Sequence, residues 1–124
     1  MKKTVQTPAA PAAIGPYSQA VEADGMLFAS GQIPINPQSG KIESSDITEQ
    51  TRRVLDNISA VLAAANRDLK DVIKTTVFLT DIDDFAAVNK IYGEYFAPPY
   101  PARSCVQVAA LPKNAKIEIE IIAK

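Results

Sequence analysis

Lys116-Ile117-Glu118-Ile119-Glu120-Ile121-Ile122-Ala123 places Ile117, Ile119 and Ile121 on alternate positions, with Glu118, Glu120 and Ile122 between them. Successive side chains of a strand point to opposite faces, so the segment predicts a strand with one apolar and one mixed face. Val72 to Thr80 repeats the pattern in β-branched residues. Ile73, Thr75, Val77 and Leu79 are predicted on one side, and Val72, Lys74, Thr76 and Phe78 on the other. Working outward, a helix is predicted from about Thr48 to Ala65, because Val54, Leu55, Ile58, Val61, Leu62 and Ala65 recur on one helical face. Asp46 and Glu49 resemble a capping pair at its start, and Asn66 suits its end. A second helix is predicted to open at Asp81 or Asp83 and to stop at Pro98-Pro99, with a core stripe of Phe85, Val88, Tyr92, Tyr95 and Phe96. Asn89 lies one turn after Phe85 and can present its amide toward the sheet, although a lone surface asparagine reads the same way.

Further strands are predicted at about Lys3 to Thr7, Ser18 to Ala23, Met26 to Ser30 and Ser104 to Ala110. Asp24-Gly25 forms a hairpin turn, and further turns fall at Asn36 to Gly40 and Leu111 to Asn114. Ser30-Gly31-Gln32 closes the third strand, where glycine permits a bulge or a close backbone approach. The order is strands, helix, strand, helix, strands. It argues a single α+β domain over residues 1–124, with a mixed β-sheet and two helices packed on one face. Two helices leave the other face uncovered, and its apolar groups predict a homo-oligomer with polar groups near the seam.

Pro101-Ala102-Arg103-Ser104-Cys105-Val106-Gln107-Val108 and the Glu118 strand put a guanidinium and a carboxylate on two short segments, where adjacent pairing would hold both at one site. A planar guanidinium matches the two oxygens of a small carboxylate, and a half-buried glutamate can move a proton. The same pair also reads as a strand-end cation and a solvated glutamate, and spacing alone does not choose between the two.

At 124 residues the chain suits one core. Thirteen Lys and Arg against fourteen Asp and Glu give a net charge of −1 without a basic run, which speaks against nucleic acid as a partner. There is no histidine, so Ser-His-Asp and Cys-His arrangements and the commonest metal ligand are absent. The single cysteine, Cys105, excludes an internal disulfide and points to a reducing, cytoplasmic setting. Met1 to Gln6 carries two lysines but no apolar run of signal-peptide length, and no stretch reaches the ~20 apolar residues of a membrane span.

Taken together, Ala13-Ile14-Gly15-Pro16-Tyr17-Ser18-Gln19-Ala20, Ser30-Gly31-Gln32-Ile33-Pro34, Lys74 to Leu79, Asn89 to Phe96 and Pro101 to Ile121 closely resemble the RidA (YjgF-like) family of reactive-intermediate deaminases. The resemblance covers nearly the whole chain. It implies a chorismate-mutase-like α+β fold, a homotrimer with clefts between neighbouring subunits, and no cofactor. The implied activity is hydrolysis of enamine and imine acids, such as 2-aminoacrylate and 2-iminobutanoate, to 2-oxo acids and ammonia. Such intermediates are released by pyridoxal-phosphate-dependent serine and threonine dehydratases. Arg103 matches the arginine that binds the substrate carboxylate, and Glu118 the glutamate that positions or activates water. Tyr17, Ser30, Gly31, Asn89 and Cys105 match pocket-lining positions, with Tyr17 expected from the adjoining subunit. Ser18, Gln107 and the Ala97-Pro98-Pro99-Tyr100 loop fall where such sequences vary and are expected to tune substrate size. No histidine or sequence-adjacent lysine lowers the Cys105 pKa, so its expected role is structural or lining. The alternatives are a translation-inhibiting ribonuclease, a role described for some relatives, and a non-catalytic small-acid-binding regulatory protein. The charge balance and the lack of histidine weigh against the first.

Overall fold

The computed structural model describes residues 1–124. In chain order the elements are β1 (Lys3–Val5), β2 (Ala20–Ala23), β3 (Met26–Gln32), β4 (Ile35–Asn36), β5 (Lys41–Ile42), α1 (Ile47–Ala64), β6 (Val72–Leu79), α2 (Phe85–Tyr95), β7 (Ala102–Gln107) and β8 (Ile117–Ala123). Six strands form one sheet in the order β1-β2-β3-β8-β6-β7, and β4 and β5 form a separate hairpin. Only β6 and β7 run parallel, with α2 as their crossover; every other neighbouring pair is antiparallel. The α+β class, the mixed sheet and the two helices on one face are as the residue pattern predicts.

The first helix begins on a side-chain cap, and the second, whose N-cap Asp84 makes no side-chain hydrogen bond, follows a capped turn. Asp46 accepts a hydrogen bond from the Glu49 amide at 3.0 Å, satisfying one of the donors a helix start leaves free. The reciprocal half of a capping box is replaced by Ser44, whose Oγ accepts from the Asp46 amide at 3.0 Å. Asn66, at φ 57°, ends α1 in the left-handed conformation that asparagine tolerates. Ahead of α2, Asp81 caps a 3-10 turn, Ile82–Asp84, so the regular helix starts only at Phe85.

The core lies between the sheet and the helices. Leu27, Val77, Leu79, Ile117, Ile119, Ile121 and Ala123 from the strands meet Val54, Leu55, Ile58, Val61 and Leu62 of α1 and Val88, Ile91 and Tyr92 of α2. Ile91 joins the predicted α2 stripe, while Phe85 and Tyr95 are only partly buried at its margins.

Four sequence expectations are corrected. The Val72 end of β6 carries a bulge: Val72 pairs with Ala123 and Lys74 with Ile122, leaving Ile73 as an extra residue. Val72 is therefore core, and Ile73 is 46% exposed, the reverse of the expected alternation. Between Ala29 and Gln32, β3 spends one more residue than β8, so Ser30-Gly31 forms a bulge within a strand that continues to Gln32. The first two strands are shorter than expected. The side chain of buried Gln19 accepts from the Thr7 amide at 2.7 Å and donates to the carbonyls of Thr7, Ala10 and Pro11, pulling Thr7 to Pro11 into a loop. Finally, β7 spans Ala102–Gln107, not Ser104–Ala110, because its ladder begins at Lys74 opposite Ala102 and ends with β6 at Leu79 opposite Gln107. Arg103 thus lies inside the sheet's edge strand.

The face away from the helices carries Phe28 and Val106, 43% and 45% exposed, with half-buried Phe78 and Ile122 between them. No element of the chain covers these groups.

Candidate active site

Sheet register decides what the expected site residues can share. Across β8, β6 and β7, Ile121, Thr75 and Arg103 stand in one row, and Glu118, Phe78 and Val106 in another. Ile121 and Thr75 are buried under the helices, so Arg103 projects to the helix face. Glu118, flanked by the core residues Ile117 and Ile119, projects to the open face. The expectation that adjacent pairing holds Arg103 and Glu118 at one site is therefore corrected for the single chain. β6 separates β7 from β8, and the odd spacing between the rows sends the two side chains through opposite faces.

Arg103 is held in a built cradle. Its Nη1 donates to Asn89 Oδ1 at 2.6 Å, so the amide does turn from α2 toward the sheet. The guanidinium carbon lies 4.8 Å from the Tyr92 ring centroid and 5.1 Å from that of Phe85, both within cation–π range. Phe85, Asn89 and Tyr92 stand at helical spacings of four and three, so one flank of α2 supplies all three. The Tyr92 hydroxyl is paired in turn with buried Thr75 Oγ1 at 2.9 Å, directly across the ladder from Arg103. Burial raises the Tyr92 pKa above that of a free phenol, against the pull of Thr75 and Arg103, so the ring stays neutral. These contacts fix the arginine while leaving its remaining guanidinium donors free for an anion. Asn89, Tyr92, Gly93, Tyr100, Pro101 and Arg103 line one hollow.

Glu118 forms the second centre. A Cβ built on Gly31 would stand 2.0 Å from Glu118 Oε2 and 2.7 Å from Cδ, so only glycine lets the β3 bulge lie against the carboxyl. Burial, with a smaller contribution from Glu120, pushes the Glu118 carboxyl above the usual carboxylate range. Ser30 secures the bulge through its Oγ, which donates to the Ser18 carbonyl at 2.6 Å, and through its amide, which donates to Gln19 O at 2.9 Å. Tyr17 is 54% exposed and lines a hollow that also includes Gly31 and Ile14. Tyr17, Ser30, Gly31 and Glu118 thus gather around one loop and bulge.

Cys105 follows Arg103 by two residues on the same face of β7, beside buried Val77. Burial raises its thiol pKa, opposed by Arg103, so the neutral form dominates near neutrality and the side chain packs against the core. Gln107 is tied down as well, its Oε1 accepting from the Ile82 amide at 2.8 Å ahead of α2, which leaves it outside the Arg103 hollow. The chain therefore brings Arg103, Asn89 and Cys105 together on one side and Tyr17, Ser30, Gly31 and Glu118 on the other. The residues missed from sequence are Thr75, Tyr92 and Phe85, whose shared helix flank with Asn89 was the available signal.

No group of three or more His, Cys, Asp or Glu side chains is placed to hold a metal ion. No helix is long and apolar enough to cross a membrane.

Residues 7–124 match the family model described as Endoribonuclease L-PSP. The chain is 51% identical over 126 aligned residues to the 2-iminobutanoate/2-iminopropanoate deaminase of Escherichia coli, covering 99% of this chain and 98% of that protein. Among solved structures it is similar to Escherichia coli TdcF with bound serine, at 50% identity and TM-score 0.91, covering 98% of this chain and 97% of that one. It also resembles a putative endoribonuclease of Thermotoga maritima, at 54% identity and TM-score 0.96, over 99% and 97% of the two chains. Fold, motif residues and these similarities agree, and the chain belongs to the RidA (YjgF-like) family, whose members include reactive-intermediate deaminases.

Proposed function

We propose that the protein hydrolyses short 2-imino and 2-enamino acids, such as 2-iminobutanoate and 2-aminoacrylate, to 2-oxo acids and ammonia. The site forms where two protomers meet. The observation that carries this reading is the division of the site residues: a caged arginine with free donors on one surface, and a desolvated carboxyl against a glycine bulge on another. Neither half suffices alone. The uncovered apolar face supplies the association surface, and a closed ring of three copies, as the family resemblance implies, would bring Arg103, Asn89 and Cys105 of one protomer to Tyr17, Ser30, Gly31 and Glu118 of the next.

Arg103 grips the substrate carboxylate and orients the C=N carbon. Water held by Glu118 attacks that carbon: its oxygen forms the new C–O bond, the C=N π electrons move to nitrogen, and Glu118 accepts a water proton. Glu118 returns that proton to the carbinolamine nitrogen, and as the C–N bond breaks the hydroxyl proton passes to the freed Glu118 carboxylate and on to solvent, so that ammonia and the 2-oxo acid leave. An enamine first takes a proton from solvent at its β-carbon to become the protonated imine. A carboxyl raised above its usual range suits both roles, because its pKa moves toward the working pH. A protonated imine is already electrophilic, so orientation and water placement supply most of the remaining acceleration. A single caged arginine in a chain of net charge −1 offers no stripe for RNA phosphates.

The test is release of 2-oxo acid from a threonine dehydratase reaction. Added wild-type protein speeds it, Arg103→Ala removes the gain, and Arg103→Lys, which keeps the charge but not the fork, raises KM roughly tenfold or more. Equal acceleration by wild type and Arg103→Ala would take Arg103 out of the mechanism.

A further inference from the structure

Asn57 is fully buried on α1, in a row whose neighbours one turn before and one turn after are Val54 and Val61. Its Nδ2 donates to the Ile35 carbonyl at 2.9 Å and to the Ile33 carbonyl at 3.3 Å. Its Oδ1 is buried and has no donor. Turning the amide over would press that oxygen against the two carbonyls, so the hydrogen bonds fix its orientation. A buried acceptor without a partner is unfavourable, and a leucine of similar shape would avoid it. What asparagine supplies and leucine does not is a grip on the segment that follows β3.

That grip falls opposite Glu118. The last pair between β3 and β8 is Gln32 with Ile119, and one more step along the antiparallel register sets Ile33 across from Glu118. Ser30 and Gly31 have no partner on β8, so the bulge is held from outside that ladder. Ser30 is fastened to Ser18 and Gln19 on one side, and Ile33 and Ile35 to Asn57 on the other. The Ile35 amide donates back to the Ile33 carbonyl at 2.8 Å across Pro34, a tight turn that makes the two carbonyls move together. Gly31 lies between the two fastenings, against the Glu118 carboxyl. Glu120 on β8 is the charged group that acts on that carboxyl. The β3 bulge, Ser30 to Gln32, and Phe78 across the β6 ladder bring no charge to it. We propose that Asn57 is a positioning residue for the hydrolytic step: by clamping Ile33 and Ile35 it holds the Gly31 bulge against Glu118 and so sets where that carboxyl places water. The role rests on the reading of Glu118 as the group that holds the attacking water. Without the clamp the bulge draws back and solvent reaches the carboxyl, which lowers its pKa toward the ordinary carboxylate range. Arg103 and its cradle, on the other surface of the chain, keep their contacts.

The experiment measures kcat, KM and the pH profile of kcat for 2-iminobutanoate in wild type, Asn57→Leu, Asn57→Ser, Asn57→Gln, Ile58→Val and Glu118→Gln. Asn57→Leu, which keeps the volume and loses the donors, is expected to lower kcat about tenfold or more while KM stays within about twofold. The acid limb of its profile is expected to move to lower pH, because a carboxyl that gains solvent ionises more readily. Asn57→Gln, which keeps both donors on a longer stem, is expected to recover the wild-type limb and most of kcat. Ile58→Val weakens the packing of the same helix without touching the clamp, and is expected to move neither. Asn57→Ser, too short to reach both carbonyls, is expected to follow Asn57→Leu, and it decides the matter alone should the leucine variant fail to fold. A kcat within about twofold of wild type with an unmoved acid limb in the folded Asn57 variants would reduce the residue to a core contact and leave the Glu118 reading intact. Wild-type turnover by Glu118→Gln would overturn both.

Discussion

Gly31→Ala gives the most quantitative consequence of the geometry around Glu118. The new methyl would stand 2.0 Å from Oε2, 2.7 Å from Cδ and 3.0 Å from Cγ. Reaching an ordinary van der Waals separation of 3.4 Å requires the carboxylate oxygen to withdraw by about 1.4 Å. Gly31 does not sit at positive φ, so alanine strains no backbone dihedral. The obstructing atoms end a half-buried side chain that can rotate toward solvent, so unfolding free energy should change by less than about 1 kcal/mol. Catalysis is far less forgiving. A displacement of about 1 Å from productive geometry costs on the order of 100-fold, so kcat for 2-iminobutanoate hydrolysis should fall by about that factor while the Arg103-governed KM moves little. Urea denaturation, circular dichroism and the dehydratase-coupled assay read the two effects separately. A folded Gly31→Ala protein with unchanged kcat would show that carboxyl placement against the bulge is irrelevant to the chemistry. A loss of several kcal/mol would show that the Glu118 side chain cannot yield.

Glu118→Gln tests the electrostatics. The folded protein holds the Glu118 proton more tightly than the unfolded chain does, so this stabilising contribution is present at low pH and lost as pH rises through the raised pKa. Glutamine never ionises, so the variant should be stabilised relative to wild type more at pH 7 than at pH 4, as urea midpoints would show, with turnover lost throughout. Thr75→Val removes the buried partner of the Tyr92 hydroxyl and should cost about 1–3 kcal/mol of stability. It should also raise KM for the imino acid more than it lowers kcat, because the ring under Arg103 loses its anchor. Thr75→Ser should restore KM, and a KM unmoved by Thr75→Val would reduce the pair to a core contact.

Much of the fold is legible because local rules and burial agree. The α1 stripe, the Asp24-Gly25 turn and the isoleucine alternation of β8 each state a period that packing has no reason to override. The departures come from non-local bonding. The bulge at Ile73 follows from pairing with β8, and the short β2 follows from Gln19 spending its side chain on the Thr7 to Pro11 loop. The same limit governs the site. Alternation alone assigns Glu118 to the face opposite Ile117 and Ile119, but the face of Arg103 depends on β6 lying between β7 and β8 and on the row each residue occupies. Residue types named both centres, and strand order shows that one chain keeps them apart. The cradle of Phe85, Tyr92 and Thr75 escaped notice because its aromatic members read as core stripe.

A site built from two protomers is tested most directly by mixing protomers with complementary defects. Arg103→Ala and Glu118→Gln chains carrying different tags are co-expressed, the mixed assemblies purified through both tags, and hydrolysis of 2-iminobutanoate compared with each variant alone. In a closed head-to-tail ring of three that contains both variants, about one interface in three pairs an intact Arg103 with an intact Glu118. The account predicts near-zero turnover for each variant alone and roughly a third of wild-type turnover per site for the mixed assemblies. Mixed assemblies as inactive as the separate variants would contradict it.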